Sequence, residues 1–303
     1  MPPVADYGFY QRRKHDKWRE VAPPSPALEG LVADSHAHIH MLPDPAWELA
    51  RCAANGVDFV CMIVDPSEDG MRPFDELNSW MAAADNSCPE VRIAVGVHPH
   101  NAKLYDNAME RTLLAHLESP YVGALGEIGL DYHYDLSPRE VQRDVFRRQI
   151  DIAQQRDLPI ALHLRGGEDP AHDDAHREAF EILREMDALG PRTLLHCCAL
   201  PPDELRPWVE ADCYVAYGGA LTFKNADSAR EGARLVPAER LMVETDSPYM
   251  TPEPMRGATC TPAHVIFTAA ALAEVRGIAP GPDRRAFLET LHANTLAFYR
   301  STR

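Results

Sequence analysis

The sequence predicts a TIM-type (β/α)8 barrel, one domain with an added N-terminal arm. Eight short apolar runs recur along the 303 residues, and amphipathic segments of helical period separate most of them. Most runs are apolar on both alternating faces, as parallel strands buried on each side must be. A doubly wound open sheet is the second reading of the same pattern. With 45% hydrophobic and 25% charged residues the chain is globular, which excludes disorder, collagen and coiled coil as whole-chain descriptions.

Taken in order, residues 1–30 read as an arm, either a flexible tail or a segment packed across the barrel base, and 31–303 as the barrel. The first strand is expected at 31–34. A helix at 45–54 follows, stopped by Asn55-Gly56. The second strand, 57–64, leads to a helix at 74–84 that ends near Asp85-Asn86. The third and fourth strands are expected at 91–97 and 121–128. Ser137-Pro138 suits an N-cap and a first-turn proline for a helix at 138–156, in which Val141, Val145, Phe146, Ile150 and Ala153 keep helical spacing. Strands at 158–164, 192–196, 213–217 and 241–245 complete the eight. Helices are expected at 174–189, 203–211, 225–235 and 262–276. A last one at 283–299 carries Phe287, Leu288, Leu291, Leu296 and Phe298.

Lys and Arg total 30 against 46 Asp and Glu, a formal charge of -16. That excludes a protein that coats nucleic acid through a broad basic face, though not a small local phosphate site. Acids gathered around metal ions would have their charge offset. No apolar stretch is long enough for a membrane span, and no apolar core of a secretory signal follows Arg12, Arg13, Lys14, Lys17 and Arg19. The seven cysteines are scattered and form no C-x-x-C, so reduced thiols in a cytoplasmic protein are expected. No stable protein partner is inferred.

In a barrel the loops after the strands build the active site. Here the runs are followed by Asp34-Ser35-His36-Ala37-His38, Asp65, His98-Pro99-His100, Glu127 and Asp131, His163-Leu164-Arg165, His196, Tyr217-Gly218-Gly219, and Glu244-Thr245-Asp246. His36 and His38, two apart on a strand, share a face and can reach one metal. Any one of these residues alone is more often structural. Together, His36, His38, Glu127, His163, His196 and Asp246 predict a metal site, and imidazole with carboxylate suits Zn, Mn, Fe or Co and permits Mg. The only lysines are Lys14, Lys17, Lys103 and Lys224, none on the fourth strand. That disfavours a carboxylated-lysine bridge between metals, and Glu127 stands where a bridging carboxylate could serve instead.

Arg165 is a candidate phosphate contact, with an ion pair to a neighbouring acid as the alternative. Lys224 is a weaker candidate, with surface solvation as its alternative. His98 is read as a contact to phosphate or leaving group, or as a support for a ligand. Asp34 is expected behind the two histidines. His40, His100 and His133 read as loop or supporting residues, and His172 and His176 as solvated. Cys197 and Cys198 read as buried, inert thiols rather than ligands. Tyr132 is either a base-stacking or a core residue. The acid-rich stretch 168–174 is expected to form a rim that turns long duplexes away.

Together these motifs resemble the TatD family of metal-dependent hydrolases. They include Gly126-Glu127-Ile128-Gly129-Leu130-Asp131-Tyr132, Thr222-Phe223-Lys224-Asn225 and Glu244-Thr245-Asp246-Ser247-Pro248-Tyr249, and they run through nearly the whole chain. The resemblance implies a TIM barrel, two divalent metal ions (Zn, Mn or Mg) and phosphodiester hydrolysis, commonly as a DNase of exonuclease character acting on nucleic-acid ends. By position, His36, His38, Glu127 and Asp246 would hold one metal. Glu127, bridging, would hold the second with His163 and His196. Asp246 would orient the attacking water and take its proton. The chain departs from the family's usual pattern at His196-Cys197-Cys198-Ala199-Leu200, at Thr259-Cys260-Thr261-Pro262, in the loop 166–174 and in the arm. These departures bear on substrate choice. A barrel hydrolase of an ester, amide or lactone, or a binding module with a decayed site, are the competing functions.

Overall fold

The structure is a computed structural model and describes residues 10–14, 17–21, 30–84, 88–169 and 174–300. Strands β1 (Tyr10–Lys14) and β2 (Lys17–Val21) form an antiparallel hairpin in the arm, and Val21 packs on the outer core. The barrel strands are β3 (Val32–Ala37), β4 (Val57–Val64), β5 (Glu90–Val95), β6 (Val122–Asp131), β7 (Ile160–Arg165), β8 (Thr193–Leu195), β9 (Tyr214–Tyr217) and β10 (Leu241–Val243). They pair in parallel, each with the next in sequence. A doubly wound sheet needs a reversal of that order, and there is none. The ends meet just past β10. Ala37 bridges Ser247, the His38 N–H donates to the Ser247 carbonyl (2.8 Å), and the Asp246 N–H donates to the His36 carbonyl (2.9 Å).

The helices are α1 (Pro45–Ala54), α2 (Arg72–Ala83), α3 (Asn107–His116), α4 (Arg139–Gln155), α5 (Ala175–Glu185), α6 (Pro202–Glu210), α7 (Asp227–Leu235), α8 (Val265–Val275) and α9 (Pro282–Arg300). Strand alternation splits the core in two. Phe59, Cys61, Ile63, Ala94, Ala124 and Ala161 fill the interior with others, while Val60, Met62 and Val64 face the helices. The interior also takes the end of α9: Phe298 and Tyr299 pack there, and the Tyr299 hydroxyl donates to the Ser35 carbonyl (2.8 Å). Among the described residues no helix is long and apolar enough to cross a membrane.

Three expectations need correction. Helix α3 lies between the third and fourth strands, where no helix was predicted. Its signal was Asp106, whose carboxylate accepts the Ala108 and Met109 N–H groups at 2.8 Å each. Ser137 does not cap α4, since Pro138 occupies that position. The Ser137 hydroxyl instead donates to the His100 carbonyl (2.8 Å) and accepts the Lys103 N–H (3.0 Å). His176 lies in the first turn of α5, half-buried, and burial pushes its pKa down to about 4. His15 and His172, and residues 170–173 of the acid-rich stretch, lie outside the described residues.

Candidate metal centre

Five strand ends aim six polar side chains at the C-terminal mouth. His36 comes from β3, His38 from the turn after it, Glu127 from β6, His163 from β7, His196 from the end of β8, and Asp246 from the turn after β10. The β3 and β6 ladders are irregular at these points, with register shifts between Asp34 and Ala37 and between Gly126 and Ile128. Such irregularities re-aim side chains next to functional sites. His38 is therefore past the strand, not alternating along it, yet its ring lies 5.4 Å from that of His36. Behind them the fully buried Asp34 accepts the Thr245 hydroxyl (2.6 Å) and N–H (2.9 Å) and the His36 N–H (3.2 Å). This carboxylate thus ties β3 to the turn after β10, across the junction of the first and last barrel strands.

All six predicted ligands converge. In each of the trios His36/His38/Glu127, Glu127/His163/His196 and His36/His196/Asp246, the candidate donor atoms lie within 4.8 Å of one another. Glu127 Oε2 is 3.5 Å from His36 Nε2, and Glu127 Oε1 is 3.1 Å from His163 Nδ1 and 3.6 Å from His196 Nε2. Asp246 Oδ1 is 3.5 Å from His38 Nε2 and 3.9 Å from His36 Nε2. The rings of His36 and His196 stack with centroids 3.6 Å apart.

His36 is fully buried, and among the described residues neither of its ring nitrogens has a hydrogen-bond partner. Buried polar atoms are rarely left so. Stacked imidazoles with unpartnered nitrogens, ringed by carboxylates, fit a divalent cation, and the N/O donor set suits Zn or Mn with Mg permitted.

Two further carboxylates hold the imidazoles from behind. The fully buried Asp131 presents Oδ2 to His100 Nε2 (2.9 Å) and His163 Nε2 (3.2 Å), while its Oδ1 accepts the His133 (2.9 Å) and Tyr134 (2.8 Å) N–H groups. The equally buried Glu244 lies 3.0 Å from His196 Nδ1 and accepts the Cys197 N–H (2.6 Å). This leaves Nδ1 of His163 and Nε2 of His196 facing Glu127. Backing carboxylates of this kind orient metal-binding histidines. The sequence shows Asp131 and Glu244 as strand-end acids but does not separate them from ligands.

The electrostatics are those of a tightly coupled cluster. Burial pushes the Glu127 pKa up, but His196, His163, His36 and His98 outweigh it and hold it well below the usual range. Burial opposes charge on His163 and His196 too. Glu127 and Asp131 nevertheless bring His163 to about 9, and Glu244 and Glu127 bring His196 to about 10. Burial lowers His36, with His196 adding to the effect. Asp246 is lowered, since His38 and His196 overcome its burial. A cation entering here would displace protons from the imidazoles.

The remaining predicted residues divide. His98 belongs to the cluster, with Nε2 3.7 Å from Glu127 Oε1 and its ring 4.2 Å from that of His163. His100, read as a loop or supporting residue, lies against it as well: His98, His100 and His163 form another close trio. Arg165, at the exposed end of β7, lies over the Tyr134 ring at 4.7 Å. Lys224 is exposed on the loop after β9, where its carbonyl accepts Arg230. Among the described residues no hydrogen bond or ion pair joins the Lys224 amine to the cluster. Tyr132 is a core residue: it is buried, its hydroxyl bonds Glu178, and the Arg139 guanidinium covers its ring at 4.5 Å. Burial raises the Cys197 and Cys198 thiols above their usual range, while Cys197 lies close enough to His196 and Glu244 to form a further candidate trio.

A sequence model of TatD-related DNases matches residues 33–300. The uncharacterized metal-dependent hydrolase YcfH of Escherichia coli K12 is 33% identical over 256 residues, 82% of this chain and 89% of that one. The human 3′-5′ RNA nuclease TATDN2 is 33% identical over 211 residues, 68% of this chain but 26% of that much longer protein. The solved structure of the TatD homologue YjjV from Escherichia coli K12 superposes with a TM-score of 0.74 at 25% identity, covering 89% of this chain and 98% of that one.

Proposed function

The chain belongs to the TatD-related DNase family, and from that premise we propose that it hydrolyses phosphodiester bonds at nucleic-acid ends, as a deoxyribonuclease of exonuclease character. The observation that carries this reading is the pair of donor trios sharing Glu127, a layout suited to two cations bridged by one carboxylate. His36, His38, Glu127 and Asp246 would hold one, and Glu127, His163 and His196 the other. Divalent ions bound there (Zn, Mn or Mg) supply a lowered water pKa and charge stabilisation at the attacked phosphate.

The chain's own groups do the rest. Asp246 is ionised and sits on the open side of the cluster, its side chain 15% exposed, so it can orient a water and accept its proton. Glu127 holds the cluster together from beneath. Burial and His163 keep His98 neutral, so its imidazole offers an N–H to a phosphate or leaving-group oxygen. Arg165 supplies cationic charge at the rim. The seven free thiols suit a reducing cytoplasm.

The test is metal content of the purified protein, then hydrolysis of end-labelled single- and double-stranded DNA, RNA and a simple ester with added Zn, Mn or Mg. Metal-dependent release of nucleotides from an end supports the reading. A metal-loaded protein that cleaves the ester and no phosphodiester overturns it.

A further inference from the structure

Among the described residues eight large apolar side chains are exposed, and all but Leu31 follow a strand at the mouth. Two are aromatic, Tyr134 (53% exposed) and Tyr249 (52%). They stand at opposite ends of one file of rings. From Tyr249 the file passes to His38 (6.1 Å between centroids), His36 (5.4 Å), His196 (3.6 Å), His163 (6.1 Å), His100 (6.0 Å) and Tyr134 (5.4 Å). The metal-type histidines therefore occupy the middle, with an open tyrosine on either side. Arg165 covers the Tyr134 ring at 4.7 Å and brings a guanidinium plane to that end.

We propose that the mouth is a two-sided stacking site for unpaired nucleobases, with Tyr134 and Arg165 on one flank of the scissile phosphate and Tyr249 on the other. The substrate is then a single-stranded or frayed end. This rests on the phosphodiesterase reading above and adds what that reading leaves open, how a strand is held. A formal charge of -16 argues against a broad cationic face that would grip a polyanion. Ring faces bind bases without regard to sequence and without that charge. A duplex end keeps its bases stacked on each other and offers none to the tyrosines until it frays.

The experiment compares two fluorescein-labelled oligothymidylates of equal length, one with ordinary bases and one with abasic residues at its 3′ end. Binding is read by fluorescence anisotropy, with the full chain carrying Mn and again after chelation, across a range of salt concentrations. The base-bearing strand is expected to bind about tenfold or more tighter than the abasic one, with a shallow salt slope. Tyr134→Leu and Tyr249→Leu should each bring that ratio towards one, while Tyr134→Phe and Tyr249→Phe keep it. Equal binding of the two strands overturns the proposal, as does a ratio untouched by the leucine variants or equal affinity for a blunt duplex. Hydrolysis of the same strands is scored separately. No cleavage with any metal removes the phosphodiesterase reading, while the anisotropy ratio still decides the stacking site.

Discussion

The Glu127 carboxylate lies within 3.7 Å of four imidazoles, His36, His98, His163 and His196, so replacing it removes the one group that both donor trios share. Glu127→Gln is expected to lower metal content and to cut turnover on a labelled strand by at least about 100-fold. Turnover close to that of the parent chain would take Glu127 out of the chemistry. Asp131→Asn tests the support behind the ligands. With His163 and His100 no longer held by a carboxylate, metal affinity measured by competition against a chelator should fall about 10–100-fold. An unchanged affinity would mean that Asp131 only shapes the turn through the His133 and Tyr134 N–H groups. At this scale the convergence of the six candidate ligands was legible because each stands at a strand end, where the barrel puts its chemistry. Asp131 and Glu244 were not, because a carboxylate beside an imidazole has the same sequence signature as one beside a metal. Tyr132 and Tyr134 show the same limit. Which one turns inward depends on how β6 ends, and two tyrosines with one residue between them do not record that.

Helix α1 buries Glu48 at 9% exposure, and burial pushes its carboxyl up to about 7 from 4.5, with Arg51 opposing. Below about pH 4.5 both folded and unfolded chains hold this proton. Between there and pH 7 only the folded chain does, so its contribution to stability falls as pH rises, by up to about 3 kcal/mol at pH 8. Glu48→Gln should therefore have a higher urea midpoint than the parent chain at pH 8 and a similar one at pH 5. A difference that does not vary with pH would show that Glu48 ionises freely. Between β6 and β7, Gly129 adopts a φ of +149°, and a Cβ there would meet the His163 carbonyl oxygen at 2.0 Å. Gly129→Ala is expected to destabilise the fold by at least about 2 kcal/mol, seen as a lower thermal midpoint. The eight strands were legible because burial on both faces leaves an unbroken apolar run. The ends of the elements were less so. Pro138 takes the cap that Ser137 was expected to fill, and α3 announces itself only through the Asp106 cap, because its apolar stripe is weak.

Periodicity shows eight strands and cannot show whether they close, since closure joins residues near 36 to residues near 246. The hairpin of the arm was equally hidden, because its register is a property of pairing and not of either strand alone. If divalent ions occupy the cluster, stripping them with a chelator should lower the melting temperature by several degrees, and Zn or Mn should restore it. Ligand at about 100 times its dissociation constant adds about 2.7 kcal/mol. A melt indifferent to chelator and metal would argue that no cation binds the native fold. The junction of the first and last strands gives this linkage a location. Two of the proposed ligands, His36 and Asp246, are joined through their own peptide groups, and His38 is held by the peptide of Ser247. An ion gripped by those side chains works as a clasp on the barrel's seam. It draws the barrel's first and last strands together at the spot where no continuous ladder among the described strands does so. Deuterium should accordingly enter the His38 and Asp246 amides faster once the ion is gone, while the amides of β4 and β5, which carry none of the proposed ligands, keep their protection.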